Sequence, residues 1–166
     1  MKVARTGYIA AIVGSAVGAN KNHIGLFNAV GSGLVLHVRK VMITSHLTAN
    51  NTGAATSFVV ARTTAAGTGA AQAVRQRDLL SPALPAEVTA LGVYSVQPTV
   101  AANSEVASIP VFTEEAGSQT PSVPAWEGEP IVVRQGGGIV IQQTALAGAG
   151  AIAGFIHFDA SYEGGN

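Results

Sequence analysis

The chain has 166 residues, of which only 11% are charged, and its nine Lys and Arg residues balance its nine Asp and Glu residues. Ordinary globular domains carry roughly 25% charged residues, so this surface must be bland, and a protein with zero net charge tends to associate. The absence of cysteine excludes a disulfide framework and a thiolate metal site. A single domain of this length buries roughly two thirds of its extended-chain surface and needs no such support.

Charge is divided along the sequence. Eight of the nine Lys and Arg residues precede Asp78, the exception being Arg134, and all nine acidic residues lie at or after Asp78. Residues 1–77 therefore carry +8, and residues 78–166 carry −8, from nine acids and one arginine. Complementary charge mainly sets partner choice and register. The division favours ordered assembly, with the two halves paired either within one fold or between copies.

The first 20 residues place Lys2 and Arg5 before an apolar run over residues 7–19, which superficially resembles a secretory signal. Glycine and serine interrupt this run, and it is far shorter than the roughly 20 apolar residues that span a bilayer. We therefore interpret residues 1–20 as an N-terminal strand or arm and predict no membrane partner. The apolar residues expected to be buried against a neighbour are Tyr8, Ile9, Ile12 and Val13.

Short runs rich in Val, Ile, Thr and aromatic residues recur between Gly, Asn, Ser and Pro clusters, which is typical of an all-β sandwich or barrel. The best helix candidate, residues 70–80, has no convincing apolar stripe and is followed by Pro82. We predict an all-β, antiparallel β-sandwich forming a single domain over residues 1–166. The predicted strands are 7–13, 23–28, 34–46, 56–64, 88–97, 106–113, 130–134, 138–144 and 151–163.

Two of these strands have informative patterns. In the strand over residues 151–163, alternate residues are apolar or small, while His157 and Asp159 fall on the opposite face, as a half-buried strand requires. In the strand over residues 34–46 the alternation breaks. Either a β-bulge near Lys40 redirects the strand, or both of its faces are covered.

Gln135 and the glycine run over residues 136–138 separate two short apolar strands. Glycine supplies the positive φ that tight hairpin turns require. The sequence therefore predicts a β-hairpin over residues 131–141.

The segment over residues 98–130 has a distinct composition, with five of the seven prolines, five of the nine acidic residues and the only tryptophan, Trp126. We interpret it as a Pro-rich, acidic, extended loop or arm around one short strand. Long loops in compact domains are commonly functional or disordered. Trp126 either anchors this arm at an interface or covers the protein's own core.

No residue pattern predicts an enzyme. The four histidines are dispersed and lack metal-ligand spacing, so we expect no metal and no cofactor. The chain contains no nucleophile motif of the Gly-x-Ser-x-Gly type. The basic N-terminal half is too sparse, and too poor in stacking aromatics, to predict a nucleic-acid partner. The interface candidates are Tyr8, Ile12, Arg39, Arg75, Arg77, Trp126 and Glu127.

Residues 129–143 (EPIVVRQGGGIVIQQ), with the small-residue loop and strand that follow, resemble the C-terminal end of small phage structural proteins. Residues 23–45 (HIGLFNAVGSGLVLHVRKVMITS) and the Ala-, Gly- and Thr-rich composition resemble the jelly-roll decoration, or cement, proteins of tailed-phage heads. The resemblance implies a jelly-roll-like sandwich on the outer surface of the virion capsid, where it bridges neighbouring major capsid subunits. It carries over no catalytic residue.

This resemblance also implies a homo-oligomer, with a trimer favoured over a dimer. Residues 1–20 and the arm around Trp126 are the elements expected to reach adjacent subunits, by strand addition at exposed sheet edges. The alternative is a phage tail, neck or fibre module that binds host glycans.

Overall fold

The computed structural model describes residues 6–45, 56–112, 123–144 and 151–162. These residues form β-strands arranged in two antiparallel sheets that pack face to face, which confirms the predicted all-β sandwich. Within this part of the chain no helix is long and apolar enough to cross a membrane. The strands are β1 (Thr6–Ala16), β2 (Lys21–Asn28), β3 (Leu34–Ser45), β4 (Thr56–Ala65), β5 (Thr68–Ala71), β6 (Val74–Gln76), β7 (Val88–Val96), β8 (Thr99–Phe112), β9 (Val123–Val133), β10 (Gly137–Gln143) and β11 (Ala151–Tyr162).

The first sheet has the strand order β6-β1-β11-β3-β9, and the second has the order β5-β7-β2-β10-β4-β8. When β5, β6 and β7 are set aside, consecutive strands lie in opposite sheets, except for β4 and β8, which pair within the second sheet. Strand β1 pairs with β11, β2 with β10, β3 with β9 and β4 with β8, as in one long hairpin rolled over on itself. This winding is a jelly roll. The inserted strands extend both sheets on the same side, with β6 beside β1 and β7 beside β2.

The predicted hairpin over residues 131–141 is wrong, because β9 and β10 lie in different sheets. The turn itself falls at the predicted glycines. Gly136 has φ 80°, and its N–H donates to the carbonyl of Asn28 at 2.7 Å. A glycine turn permits a tight reversal, but hydrogen-bond partners far along the chain decide which sheet the next strand joins.

The β-bulge expected near Lys40 is present in β3. Lys40 pairs with His157 and Val38 pairs with Phe158, which leaves Arg39 as the extra residue. A bulge shifts the alternation of a strand by one residue. The apolar residues before and after Arg39 therefore both face the core, and the broken pattern in the sequence is explained.

The core lies between the sheets and follows the predicted alternation of β11. Ile152, Ile156 and Phe158 are buried, whereas His157 and Asp159 are half-buried on the outer face. Phe158 stacks on Tyr8 with ring centroids 5.4 Å apart.

The segment over residues 98–130 contains more strand than the sequence predicts, because β8 and β9 occupy its two ends; residues 113–122 lie outside the described part. These two strands are edges of the second and first sheets respectively. Proline lacks an N–H and is tolerated at sheet edges. Pro110 lies in β8, and Pro124 and Pro130 lie in β9. The prolines here mark edge strands.

Candidate interaction surface

The outer face of the second sheet is covered by the chain's own side chains. Val59, Ala61 and Val140 point away from the main core, yet they form a second buried cluster, with Tyr94 and Val100 packed against it. Val140 and Ala61 have no exposed surface. We call this surface the covered face.

Tyr94 covers part of this surface because Gly25 leaves room for it. The Tyr94 hydroxyl hydrogen-bonds to the backbone of Gly25, and a Cβ on Gly25 would collide with the hydroxyl oxygen. Burial raises the pKa of Tyr94 well above its ordinary value, because desolvation disfavours the phenolate. The covered face is therefore closed by a specific fit between a ring and a glycine.

The outer face of the first sheet differs, because most of its side chains remain half-buried or exposed, although Val35 and Ala153 are buried. We call this surface the open face. It spans β1, β3, β6 and β11, and its members are Ile9, Ala11, Val13, His37, Arg39, Lys40, Met42, Arg75, Arg77, Phe155, His157, Asp159 and Ser161.

Strand register brings the charged members of the open face together. Ile9 of β1 lies between Arg75 of β6 and His157 of β11, and His157 in turn pairs with Lys40 of β3. These residues form one row across four strands. Arg77 begins the adjacent row, because its N–H donates to the carbonyl of Gly7 at 2.9 Å.

The described members of the open face carry an excess of positive charge. They include four cations, Arg39, Lys40, Arg75 and Arg77, and one carboxylate, Asp159, a difference of three charges. Asp159 accepts a hydrogen bond from Nε of Arg39 at 2.9 Å. The pKa of His157 is lowered, first by desolvation and then by the nearby charges of Arg77 and Lys40. Arg77 and Lys40, which lie on opposite sides of His157, thus both lower its pKa.

An apolar row lies beside this basic region. Ala11 pairs with Phe155, and Phe155 pairs with Met42, so the three form a row across β1, β11 and β3. Val13, the next outward residue of β1, is 62% exposed. The open face thus combines apolar contact area with cations held on a rigid sheet.

Three interface candidates, Arg39, Arg75 and Arg77, lie together on the open face. They come from β3, β6 and the residue that follows β6. The structure places Tyr8 and Ile12 in the core of their own chain, where each is 3% exposed. Neither side chain is presented to a second molecule, because β1 is an internal strand of the first sheet and not a detached arm.

The remaining candidates, Trp126 and Glu127, belong to β9. Their backbones pair with Val41 and Lys40 of β3. Their side chains lie outside the described part of the chain. In register, Glu127 adds an acidic residue to the end of the row that contains Lys40, and the interface predictions for Trp126 and Glu127 remain predictions.

Sequence reasoning missed Lys40, Met42 and Phe155 as members of this surface. Alternation in the last strand was sufficient to place Phe155 on the outer side together with His157 and Asp159. Lys40 and Met42 were harder to assign, because the bulge at Arg39 changes the side of every later residue in β3.

A buried polar chain links the two sheets at another place. Ser15 Oγ lies 2.8 Å from His23 Nδ1, and His23 Nε2 lies 3.2 Å from Gln143 Oε1. His23 and Gln143 have no exposed surface, and Ser15 is 4% exposed. Burial lowers the pKa of His23 to about 4. The order of these three side chains resembles a catalytic nucleophile and its base. The serine is not accessible to a substrate, however, so we assign these three hydrogen-bonded side chains a structural role.

Among the residues described, no group of three or more His, Cys, Asp or Glu side chains is placed to hold a metal ion. His157 and Asp159 share a strand face, but Asp159 is paired with Arg39.

Comparison with known proteins found no matching family model, no matching curated protein and no matching solved structure.

Proposed function

We propose that this protein is a structural protein of a phage virion that binds the outer surface of the capsid and stabilises it by bridging neighbouring major capsid subunits. One observation carries the proposal. The open face sets four cations beside an apolar row on a rigid sheet, whereas the covered face is already filled by the chain's own side chains. The sandwich therefore has one broad side suited to a protein partner.

The chemistry of the open face defines that partner. Cations steer encounter and fix register, and exposed apolar groups contribute affinity when they leave water. The partner surface should be acidic and partly apolar. A capsid repeats such a surface many times, so modest affinity per copy is sufficient.

Stabilisation then follows from mass action. A protein that binds only the assembled shell stabilises it in proportion to occupancy and affinity. Copies that contact more than one shell subunit add avidity without new chemistry. The jelly roll alone does not select this function, because jelly rolls serve as capsid proteins, lectins and cupins. The proposal therefore rests on the open face and not on the fold.

The proposal is tested by cosedimentation of the purified protein with undecorated capsids over a range of salt concentrations. The parent protein should bind, and binding should weaken as salt rises. The double variant Lys40→Glu/Arg77→Glu reverses two charges of the open face and should lose affinity by about tenfold or more. The matched control Arg62→Glu/Arg134→Glu makes the same charge change elsewhere and should bind like the parent. Failure of the parent to bind, or equal loss in both variants, would reject the proposal.

A second readout separates a change of surface charge from unfolding. Lys40 and Arg77 both lower the pKa of His157, so in Lys40→Glu/Arg77→Glu the His157 pKa should rise, as measured by NMR titration. Unfolding would raise the pKa of buried His23 from about 4 to 6.5 as well. A raised His157 pKa, an unchanged His23 pKa and lost binding together assign the effect to surface charge.

A further inference from the structure

The most exposed large apolar side chains in the described part of the chain are Leu79 and Leu80, at 94% and 93% exposure. They lie side by side in the turn that follows β6. We call residues 78–81 the leucine turn. Two adjacent leucines in water are unfavourable unless another surface covers them.

The leucine turn is held in place by hydrogen bonds. Asp78 Oδ1 accepts the N–H of Leu80 at 3.0 Å, and the Asp78 carbonyl accepts the N–H of Ser81 at 3.0 Å. The next residue is also fixed, because the hydroxyl of Tyr8 donates to the carbonyl of Pro82 at 2.8 Å. A preformed turn loses little entropy on binding. These hydrogen bonds therefore hold both leucines in an exposed position.

An open groove of about 460 Å³ lies beside the turn, between β6 of the first sheet and β5 and β7 of the second. Its lining is mostly apolar and includes Val74, Ala83, Leu84 and Val88. None of the described residues that line it carries a charged side chain, and its volume lies within the range that binds apolar groups of ligand size.

We propose that two copies of this chain associate so that the leucine turn of each copy occupies the groove of the other. The turn and the groove are neighbours, because residues 83–86 of the groove follow the turn directly. A single two-fold axis therefore satisfies both contacts at once, as an isologous interface requires. A second copy is the partner that supplies a matching apolar turn at every groove.

The charges at the rims of the groove also favour a second copy as the partner. Exposed Arg75 belongs to β6 on one rim of the groove, and exposed Glu87 precedes β7 on the other rim. A two-fold axis that runs along the groove places the basic rim of each copy against the acidic rim of its partner. The opposed charges of the two sequence halves then pair between copies at this interface.

Self-association through the groove does not depend on capsid binding, because the groove and the open face are different surfaces that share only Arg75 at their common border. The groove interface predicts a dimer, whereas the phage-protein resemblance favours a trimer. The mass of the isolated protein decides between them.

The first test is light scattering combined with sedimentation on the full chain at several concentrations and without capsids. The parent should be a dimer. Leu79→Ser/Leu80→Ser should weaken the dimer at least about a hundredfold, since each exchange removes one buried apolar anchor. The matched control Val13→Ser/Val30→Ser replaces two other exposed apolar residues and should leave the dimer unchanged. A monomeric or trimeric parent, or a dimer that survives the leucine exchanges, overturns the proposal.

The second test uses the absence of cysteine. Leu80→Cys and Ala83→Cys are made separately, mixed and treated with a short thiol crosslinker. The expected product is mainly the mixed dimer, because Leu80 of one copy faces the groove of the other. Crosslinking that is no greater in the mixture than in a mixture of Val30→Cys and Ala83→Cys contradicts the contact. If crosslinking fails while capsid binding persists, only the dimer interface is rejected.

Discussion

The two outer faces of the sandwich both include apolar side chains, but these are buried on one face and exposed on the other. On the second sheet, Val59 and Val140 are buried in a cluster against which Tyr94 and Val100 pack. On the first sheet, Val13 is 62% exposed and lies near a row of cations. The difference shows that an apolar strand does not by itself reveal a binding surface. What matters is whether the chain supplies its own cover.

The cover of the second sheet comes from an irregularity in β7. Val93 has φ 48°, a conformation that is strained for a β-branched residue. The register between β5 and β7 shifts across this position. Tyr94 follows directly and hydrogen-bonds to the backbone of Gly25. The first sheet has no equivalent of this ring among its described residues.

The largest expected effect is on the pH dependence of stability, which should depend far more on His23 than on His157. Burial lowers the pKa of His23 to about 4, compared with 6.5 in an unfolded chain. Its contribution to stability is complete above pH 6.5 and is lost as pH falls toward 4, because the unfolded chain takes up a proton that the folded chain resists. At about 1.4 kcal/mol per unit of pKa, the loss is about 3 kcal/mol. Denaturant unfolding at several pH values measures this loss.

His23→Gln should remove most of that pH dependence, whereas His157→Gln on the open face should remove a much smaller part. The pKa of His157 is lowered as well, but this side chain is only half-buried. Equal slopes in the two variants would show that the buried polar chain is not the acid-sensitive element.

A matched glycine pair tests the cover directly. Gly25→Ala places a methyl group against the Tyr94 hydroxyl and should destabilise the fold by about 2 kcal/mol. Gly7→Ala on the open face comes closest to Cδ of Arg77, at 3.0 Å, and this flexible side chain can move; its next contact, Asp159 Oδ1 at 3.5 Å, is at an ordinary distance. Its effect should stay within about 0.5 kcal/mol. Gly25→Ala should also lower the pKa of Tyr94, measured by ultraviolet titration. An unchanged Tyr94 pKa would mean that the ring does not close this face.

A matched valine pair gives a smaller effect. Val140→Thr introduces a hydroxyl group where no surface is exposed and should cost about 1–3 kcal/mol. Val13→Thr makes the same change at a side chain that is 62% exposed and should cost less than about 0.5 kcal/mol. The two unfolding free energies should differ clearly. Similar values would contradict the distinction between the covered and open faces.

The smallest effect on stability is expected for Asp159→Asn. The Arg39–Asp159 pair is partly exposed, with side-chain exposures of 35% and 18%. Such pairs contribute roughly 0–1 kcal/mol. The variant nevertheless removes one negative charge from the open face and so raises its net charge by one; association with an acidic capsid surface should therefore become faster at low salt. Slower association at unchanged stability would indicate that the partner is not acidic.

Much of the fold was predictable, because alternation in the sequence is local. The last strand shows it best, since the burial of Ile156 and Phe158 and the outward position of His157 follow from spacing alone. Even the bulge at Arg39 left a visible break in the pattern. Strand pairing was not local. The glycine turn before β10 suits a hairpin, but it joins the two sheets.

The candidate surface was only partly predictable. Arginine was a good guide, because few charges are available and three of the named residues share the open face. The apolar candidates Tyr8 and Ile12 misled, because an apolar residue near the terminus is equally suited to the core. The prolines of β8 and β9 misled as well, because their tolerance depends on edge position, which only the assembled sheets reveal.

The most direct measurement is a comparison of lysine reactivity in free and capsid-bound protein by chemical acylation and mass spectrometry. Lys40 belongs to the open face, and Lys21 begins β2 of the second sheet. We expect Lys40 to become strongly protected on binding while the reactivity of Lys21 stays the same. Protection of Lys21 alone, or unchanged reactivity of Lys40 in a protein that demonstrably binds, would contradict the assignment of the open face.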